Sequence, residues 1–214
     1  MVAVVWLVVI FISLTVHEFS HALVANKLGD KTAEYMGRLT LNPLKHIDPM
    51  GLIPLILLGF GWAKPVPFNP YNLQDPRRDS VMIALAGPFS NLMLAGVSGL
   101  ILRTLAVTSE IEPTNLLVVF LVLMILINLF LLFFNIIPIH PLDGSKLLDA
   151  ILVKPHQQKL RMAIATYGPQ VLLLLIIVSL VSSFNIFFFV SIPSFLVCDA
   201  FSGSSCALLW SLFF

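Results

Sequence analysis

His17-Glu18-Phe19-Ser20-His21 forms an H-E-x-x-H pattern inside the first long apolar run of the chain. Residues four apart share one face of an α-helix, so the two imidazoles can converge on a single metal ion while Glu18 points at its open side. Zinc suits such a set. It takes imidazole nitrogen, keeps one position open in catalytic sites and makes water nucleophilic near neutral pH. A neighbouring carboxylate can then accept the proton and pass it to a leaving amine. The pattern therefore predicts one Zn²⁺ per chain, held by His17 and His21, with Glu18 as general base. The plainer reading is two histidines and a glutamate falling together by chance on a helix. The flanking Val, Ile, Leu and Phe weigh against it, because ionisable groups are costly in such surroundings and usually functional.

The elements that must position these residues follow from hydropathy. Of 214 residues, 58% are hydrophobic and 11% charged, and the mean hydropathy is +0.99. Those values exclude an ordinary soluble domain and predict an α-helical integral membrane protein, a polytopic bundle in the lipid bilayer. The formal net charge of +1 provides no field for nucleic acid. Residues 2–24 are long enough to cross a hydrocarbon core of about 30 Å. No basic stretch precedes them and they carry the site, so they are expected to be retained rather than cleaved as a signal. At about 1.5 Å per residue, His17 lies roughly 22 Å along this crossing, inside the membrane but near one surface.

Residues 26–78 are polar and punctuated by Gly29-Asp30, Asn42-Pro43, Asp48-Pro49, Lys64-Pro65 and Asn69-Pro70. They predict a small β and loop insertion, with strand-like pieces over 34–41 and 61–68 and a re-entrant segment at 52–60. Further crossings are expected at about 80–102, 116–137 and 170–190, followed by an apolar tail over 192–214. Asn91 lies inside the second crossing, and Asn128 and Asn135 share a face of the third. Interhelical hydrogen bonding and orientation of a substrate backbone both fit these asparagines. Cys198 and Cys206 are expected as free thiols.

Lysine and arginine give the orientation. Lys27, Lys31, Arg38, Lys45, Lys64, Arg77 and Arg78 lie between crossings one and two; Lys146, Lys154, Lys159 and Arg161 lie between three and four; Arg103 alone lies between two and three. The amino terminus is then outside, and the H-E-x-x-H end of the first helix faces the cytoplasm. Asp143, just past the third crossing, reaches the same face.

Catalytic zinc usually has a third protein ligand. Asp143, His140, Asp48, His46 and His156 are the candidates. Charge favours Asp143, because two neutral imidazoles, one carboxylate and an ionised Glu18 bring the assembly near neutrality in a low-dielectric site. Asp143 also fits as the N-cap of a helix opening at Gly144, and spacing alone leaves the choice open.

The chain carries more than the H-E-x-x-H. Gly37-Arg38-Leu39-Thr40-Leu41-Asn42-Pro43, His46-Ile47-Asp48-Pro49-Met50-Gly51 and Trp62-Ala63-Lys64-Pro65-Val66-Pro67 follow in order. Ala86-Gly87-Pro88-Phe89-Ser90-Asn91 comes next, then Asn135-Ile136-Ile137-Pro138 running into Pro141-Leu142-Asp143-Gly144. Over about residues 13–150 the chain resembles the site-2 proteases, specifically short prokaryotic members without PDZ or cystathionine-β-synthase domains. The resemblance implies an intramembrane zinc metalloprotease with His17, His21 and Asp143 as metal ligands and Glu18 as base. It also implies a three-helix catalytic core within residues 1–153, with residues 154–214 adding at least one more helix. Its substrates would be transmembrane segments of other membrane proteins, cut in regulated proteolysis or remnant clearance at the cell membrane. His140 departs from the family, standing where proline is frequent. A zinc transporter or non-proteolytic zinc-binding membrane protein is the alternative, since paired histidines on a membrane helix also suit metal passage. For a protease, the insertion pieces could pair with an unwound substrate as an added strand, with Asn91, Asn128 and Asn135 holding its amides from the other side.

Overall fold

The computed structural model describes residues 1–108, 112, 114–182 and 186–213. The α-helices are α1 (Val2–Lys27), α2 (Thr32–Tyr35), α3 (Pro49–Leu58), α4 (Pro76–Thr108), α5 (Leu116–Asn135), α6 (Gly144–Ile151), α7 (Gln158–Val181), α8 (Phe188–Ser202) and α9 (Cys206–Phe213). Among the described residues, α1, α4, α5 and the stretch Pro155–Val181 are long and apolar enough to cross a membrane. The molecule is a polytopic helical membrane protein.

α5 is apolar on every side, which is the signature of a helix surrounded by protein. Leu123, Ile125, Leu126 and Leu129 are fully buried on it. α1 and α4 pack against α5 and each other, and α8 lies against both α4 and α5. Small residues permit the close approach: a Cβ on Gly99 would fall 2.6 Å from that of Phe201 on α8. α7 is thinly packed, meeting the rest through Gly168 beside His140 and through Leu172 and Ile176 on Leu142.

Three expectations change. No strand forms in the insertion among the described residues; an isolated antiparallel bridge joins Ile47 to Ala63. The Asx-Pro pairs start helical turns instead. Asn42, Asp48 and Asn69 each accept from the backbone N–H two residues on, with proline at the first helical position, where its missing N–H costs nothing. The expected re-entrant segment is part of the short helix α3.

The fourth apolar helix runs over Gln158–Val181 rather than 170–190, because it continues through Pro169 and takes Lys159 and Arg161 into its first turns. The tail forms α8 and α9. Cys198 and Cys206 are joined in a disulfide rather than free. Gly203, at φ 73°, reverses the chain so that α9 starts beside the last turn of α8, and Asp199 Oδ1 accepts from Cys206 N–H at 2.6 Å.

Candidate metal centre

The later turns of α1 carry His17, Glu18 and His21, all buried. Their ring atoms His17 Nε2 and His21 Nε2 lie 3.0 Å apart. Asp143 Oδ2 is 3.2 Å from the first and 3.3 Å from the second. Asp143 stands at the N-cap of α6, but its side chain makes no capping bond; it turns to the imidazoles. Gly144 allows that turn, since a Cβ there would lie 2.5 Å from Ile137 O. His17, His21 and Asp143 are the group of His, Cys, Asp and Glu residues among the described ones whose ligand atoms converge closely enough to hold a metal ion.

The protein fixes which ring nitrogens are free. Met124 O must accept, so Asn128 Nδ2 donates to it at 2.7 Å, and to Ser13 Oγ at 2.9 Å. Asn128 Oδ1 then accepts from Asn91 Nδ2 at 2.7 Å. Asn91 Oδ1 is left to accept from His17 Nδ1–H at 2.6 Å. His21 Nδ1–H likewise donates to Ile83 O at 2.7 Å. With both protons on Nδ1, the neutral rings present Nε2 lone pairs to each other and to Asp143 Oδ2, which is buried without a hydrogen bond. Three electron-pair donors facing one another repel unless a cation lies among them. Two imidazoles and a carboxylate are a ligand set that suits Zn²⁺.

Glu18 faces away from this group's support. Its Oε2 accepts from Val66 N–H at 2.9 Å. Residues 62–66 reach it as an extended strap beside the later turns of α1. Arg38 Nη2 donates to Lys64 O at 2.6 Å, Lys64 N–H to His46 O at 2.8 Å, and Trp62 Nε1–H to Asp48 Oδ2 at 3.0 Å. Burial lowers the Arg38 pKa, and the Glu18 carboxylate opposes that shift.

The other ligand candidates lie elsewhere. His140 sits 3.5 Å from Asp149, His46 donates to Thr40 O at 2.8 Å, Asp48 caps α3, and His156 is exposed. Asn91 and Asn128 are fully buried, their amides committed to His17, Ser13, Met124 and each other. Asn135 donates to Leu131 O at 2.9 Å.

Four participants escape a reading of reactive side chains. A Cβ on Gly87 would fall 2.6 Å from His17 Nε2 and nearer still to His21 Nε2, so α4 meets the metal group through bare backbone. Its signal is Gly87-Pro88 in mid-crossing, where neither residue favours a helix. Ser13 and the carbonyls of Met124 and Ile83 carry no signal of their own.

Comparison with known proteins agrees with this geometry. The profile described as "Peptidase family M50" matches residues 5–113 and 104–179. The chain is 40% identical over 177 residues to "Putative zinc metalloprotease YwhC" of Bacillus subtilis, covering 81% of this chain and 80% of that one. It is 31% identical over 231 residues to "Putative zinc metalloprotease Rip2" of Mycobacterium tuberculosis, covering 100% and 82%. "Zinc metalloprotease MJ0392" of Methanocaldococcus jannaschii is 25% identical over 186 residues, covering 86% and 45%. No solved structure gives a significant match. With most of its length matched and a convergent His, His, Asp group in four apolar helices, the chain belongs to peptidase family M50, the site-2 proteases, and is an intramembrane zinc metallopeptidase.

Proposed function

We infer that this protein hydrolyses peptide bonds in or near transmembrane segments of membrane-protein substrates, with His17, His21 and Asp143 holding one Zn²⁺ and Glu18 as general base. The observation that carries the assignment is the fixed tautomer of both imidazoles, which aims two lone pairs and an unbonded carboxylate oxygen at one point. Bound zinc would polarise the attacking water and the scissile carbonyl. Glu18 would accept the water's proton on its carboxylate and return it to the leaving amide nitrogen. Asn91 and Asn128 would orient His17 from behind, a role distinct from the substrate contact anticipated for them; supporting groups of this kind set ring orientation and ligand basicity. Asn135 remains the asparagine we assign to the substrate. The catalytic core is residues 1–153, with 154–214 packing α8 and α9 onto it.

The same proposal puts the site towards the cytoplasm, in the cell membrane, with the amino terminus outside. All twelve lysines and arginines except Arg103 support it. The Cys198–Cys206 disulfide adds support, because Gly203 lies beside Arg103, the end assigned to the oxidising outer face. An extended substrate would enter beside the 62–66 strap and replace Val66 at Glu18. Substrates with Gly, Pro, Asn or Ser in the cytoplasmic third of their span are then cut faster than uniform Leu spans, since unwinding a turn in lipid is costly.

The test is metal content and cleavage measured together on purified protein. Glu18→Gln is expected to retain about one zinc per chain while cleavage falls by several orders of magnitude. Asp143→Ala loses both. Zinc loss from folded Glu18→Gln would remove Glu18 from the role of base.

A further inference from the structure

Where α4 begins and α6 ends, an open groove of about 600 Å³ takes no part in the chemistry above. Asp75, Arg77 and Arg78 line its polar end, and Val81, Met82 and Ala150 its apolar end. Both arginines are exposed, and among the described residues neither guanidinium has a hydrogen-bond or ion-pair partner. Asp75 Oδ1 accepts from Arg77 N–H and Arg78 N–H at 3.1 Å each. The helix end is therefore already capped, and the pull on an anion comes from the side chains. Two guanidinium groups and one carboxylate leave the groove formally at one positive charge.

Below the groove, α4 continues as an exposed apolar stripe. Met82, Leu85, Phe89, Met93 and Val97 are 42%, 39%, 62%, 53% and 53% exposed, and their spacing of three or four places them on one helix face. From Met82 to Val97 the helix rises roughly 22 Å, more than the ~15 Å depth of one leaflet's hydrocarbon. A charged head at the helix start with an apolar track of leaflet depth below it matches one amphiphile.

We propose that this groove binds an anionic, hydroxyl-bearing phospholipid of the phosphatidylglycerol class, its phosphodiester between Arg77 and Arg78 and one acyl chain along the α4 stripe. Guanidinium forks match phosphate oxygens in geometry and charge, and basic pockets at the cytoplasmic end of membrane helices suit lipid headgroups. One negative charge neutralises the groove. The free Asp75 oxygen accepts a headgroup hydroxyl, whereas a choline head brings a cation without an N–H or O–H donor and no net charge. The site touches elements that hold the metal group. Ile83, whose carbonyl accepts from His21, is one and a half turns of α4 beyond Arg78, and Asp143 is the N-cap of α6.

The test is native mass spectrometry of the purified full chain in detergent, titrated with phosphatidylglycerol or phosphatidylcholine, with zinc content and circular dichroism as checks of fold. One phosphatidylglycerol per chain is expected to be retained about tenfold more strongly than phosphatidylcholine. The Arg77→Gln, Arg78→Gln double variant drops to the phosphatidylcholine level, and Lys154→Gln with Lys159→Gln does not. Met82→Glu, which puts a charge in the acyl track, independently lowers retention. Equal retention of the two lipids, an unaltered double variant or an unaltered Met82→Glu would each overturn the site. Full displacement of the lipid by millimolar inorganic phosphate would assign the groove to a free anion and overturn the lipid reading.

Discussion

The two sides of the metal group are built differently. Behind His17 every amide in the series Met124, Asn128, Asn91 is buried with its donor and acceptor matched, and all of it hangs on helices. In front, Glu18 meets a single backbone N–H from a strap of irregular chain, and near that strap Arg38 Nε and His46 Nδ1 are buried without hydrogen bonds. Inside a bilayer an unmatched polar group costs several kcal/mol, so the rear is locked in one arrangement. The strap holds Glu18 by a bond that an extended substrate backbone can supply equally well. On the proposed mechanism, rigidity is placed where ligand geometry must not vary, and exchangeable contact where the substrate would arrive.

Filling the metal-facing side of the two rings from α4 should break the site most completely. Gly87→Ala puts a methyl group against both ring nitrogens, where neither α1 nor α4 can retreat without opening the packed core. Zinc affinity is expected to fall by at least ~100-fold and cleavage to vanish, with helical content unchanged. A zinc-loaded, active Gly87→Ala protein would show that α4 does not confine the two ring nitrogens.

Next comes the amide series itself. Asn91→Leu leaves the His17 Nδ1–H and an Asn128 carbonyl oxygen buried without partners. Supporting groups of metal ligands are typically worth 10- to 100-fold in affinity or activity, and a loss in that range is expected in a zinc competition assay. Asn128→Leu, one step further from the ring, should lose less. The reverse order would mean that the asparagines serve the substrate rather than His17.

Much of this site was legible before folding. The i, i+4 histidines need only a helix to converge, and hydropathy supplies the helix. Asp143 was ambiguous because its two readings, N-cap and ligand, place it at the same spot on the backbone; the side chain's direction towards the imidazoles, a tertiary fact, favours the ligand. The insertion misled because Asn42-Pro43, Asp48-Pro49 and Asn69-Pro70 were read as turns that break structure. Each is also the start signal of a helix, with a side-chain acceptor before a residue that lacks N–H. The disulfide was missed because two cysteines eight apart seem local until Gly203 reverses the chain between them. Gly87 could not be found from chemistry at all, since its contribution is the absence of a side chain.

On the front side a smaller effect is expected. Val66→Pro removes the N–H that Glu18 accepts, and the neighbouring Pro67 already holds residue 66 in the extended region that proline tolerates. Zinc content should stay at wild type while cleavage falls by about tenfold, the lower end of what one hydrogen bond to a charged group is worth. Zinc loss comparable to Asn91→Leu would erase the distinction between the two sides.

The smallest effect concerns how the insertion that carries the strap is tied to α1. Asp30 is fully buried just past α1 and accepts from Asn69 N–H at 2.6 Å, Asn72 Nδ2 at 2.7 Å and Thr32 N–H at 3.1 Å. Burial would raise its pKa, but the hydrogen bonds from Thr32, Asn72 and Asn69 outweigh it and hold the carboxyl below its ordinary value. A depressed pKa means that the folded state binds the proton less readily than the unfolded one. The stabilisation is therefore complete above about pH 4, the unfolded carboxylate value, and disappears as pH falls through the lower folded value. Asp30→Asn keeps the shape but removes the charge and turns an NH2 donor onto one of these donors, and should cost about 1–3 kcal/mol at neutral pH. Unfolding midpoints in detergent, taken at intervals from pH 6 down to pH 2, should show the wild type losing its advantage over Asp30→Asn in the acid part of that range. Zinc binding at neutral pH should stay the same in both, because the tie acts on the strap's side and not on the helices behind His17. A constant difference between the two proteins across the whole range would mean that the Asp30 charge contributes nothing, and that the insertion is held by its turns alone.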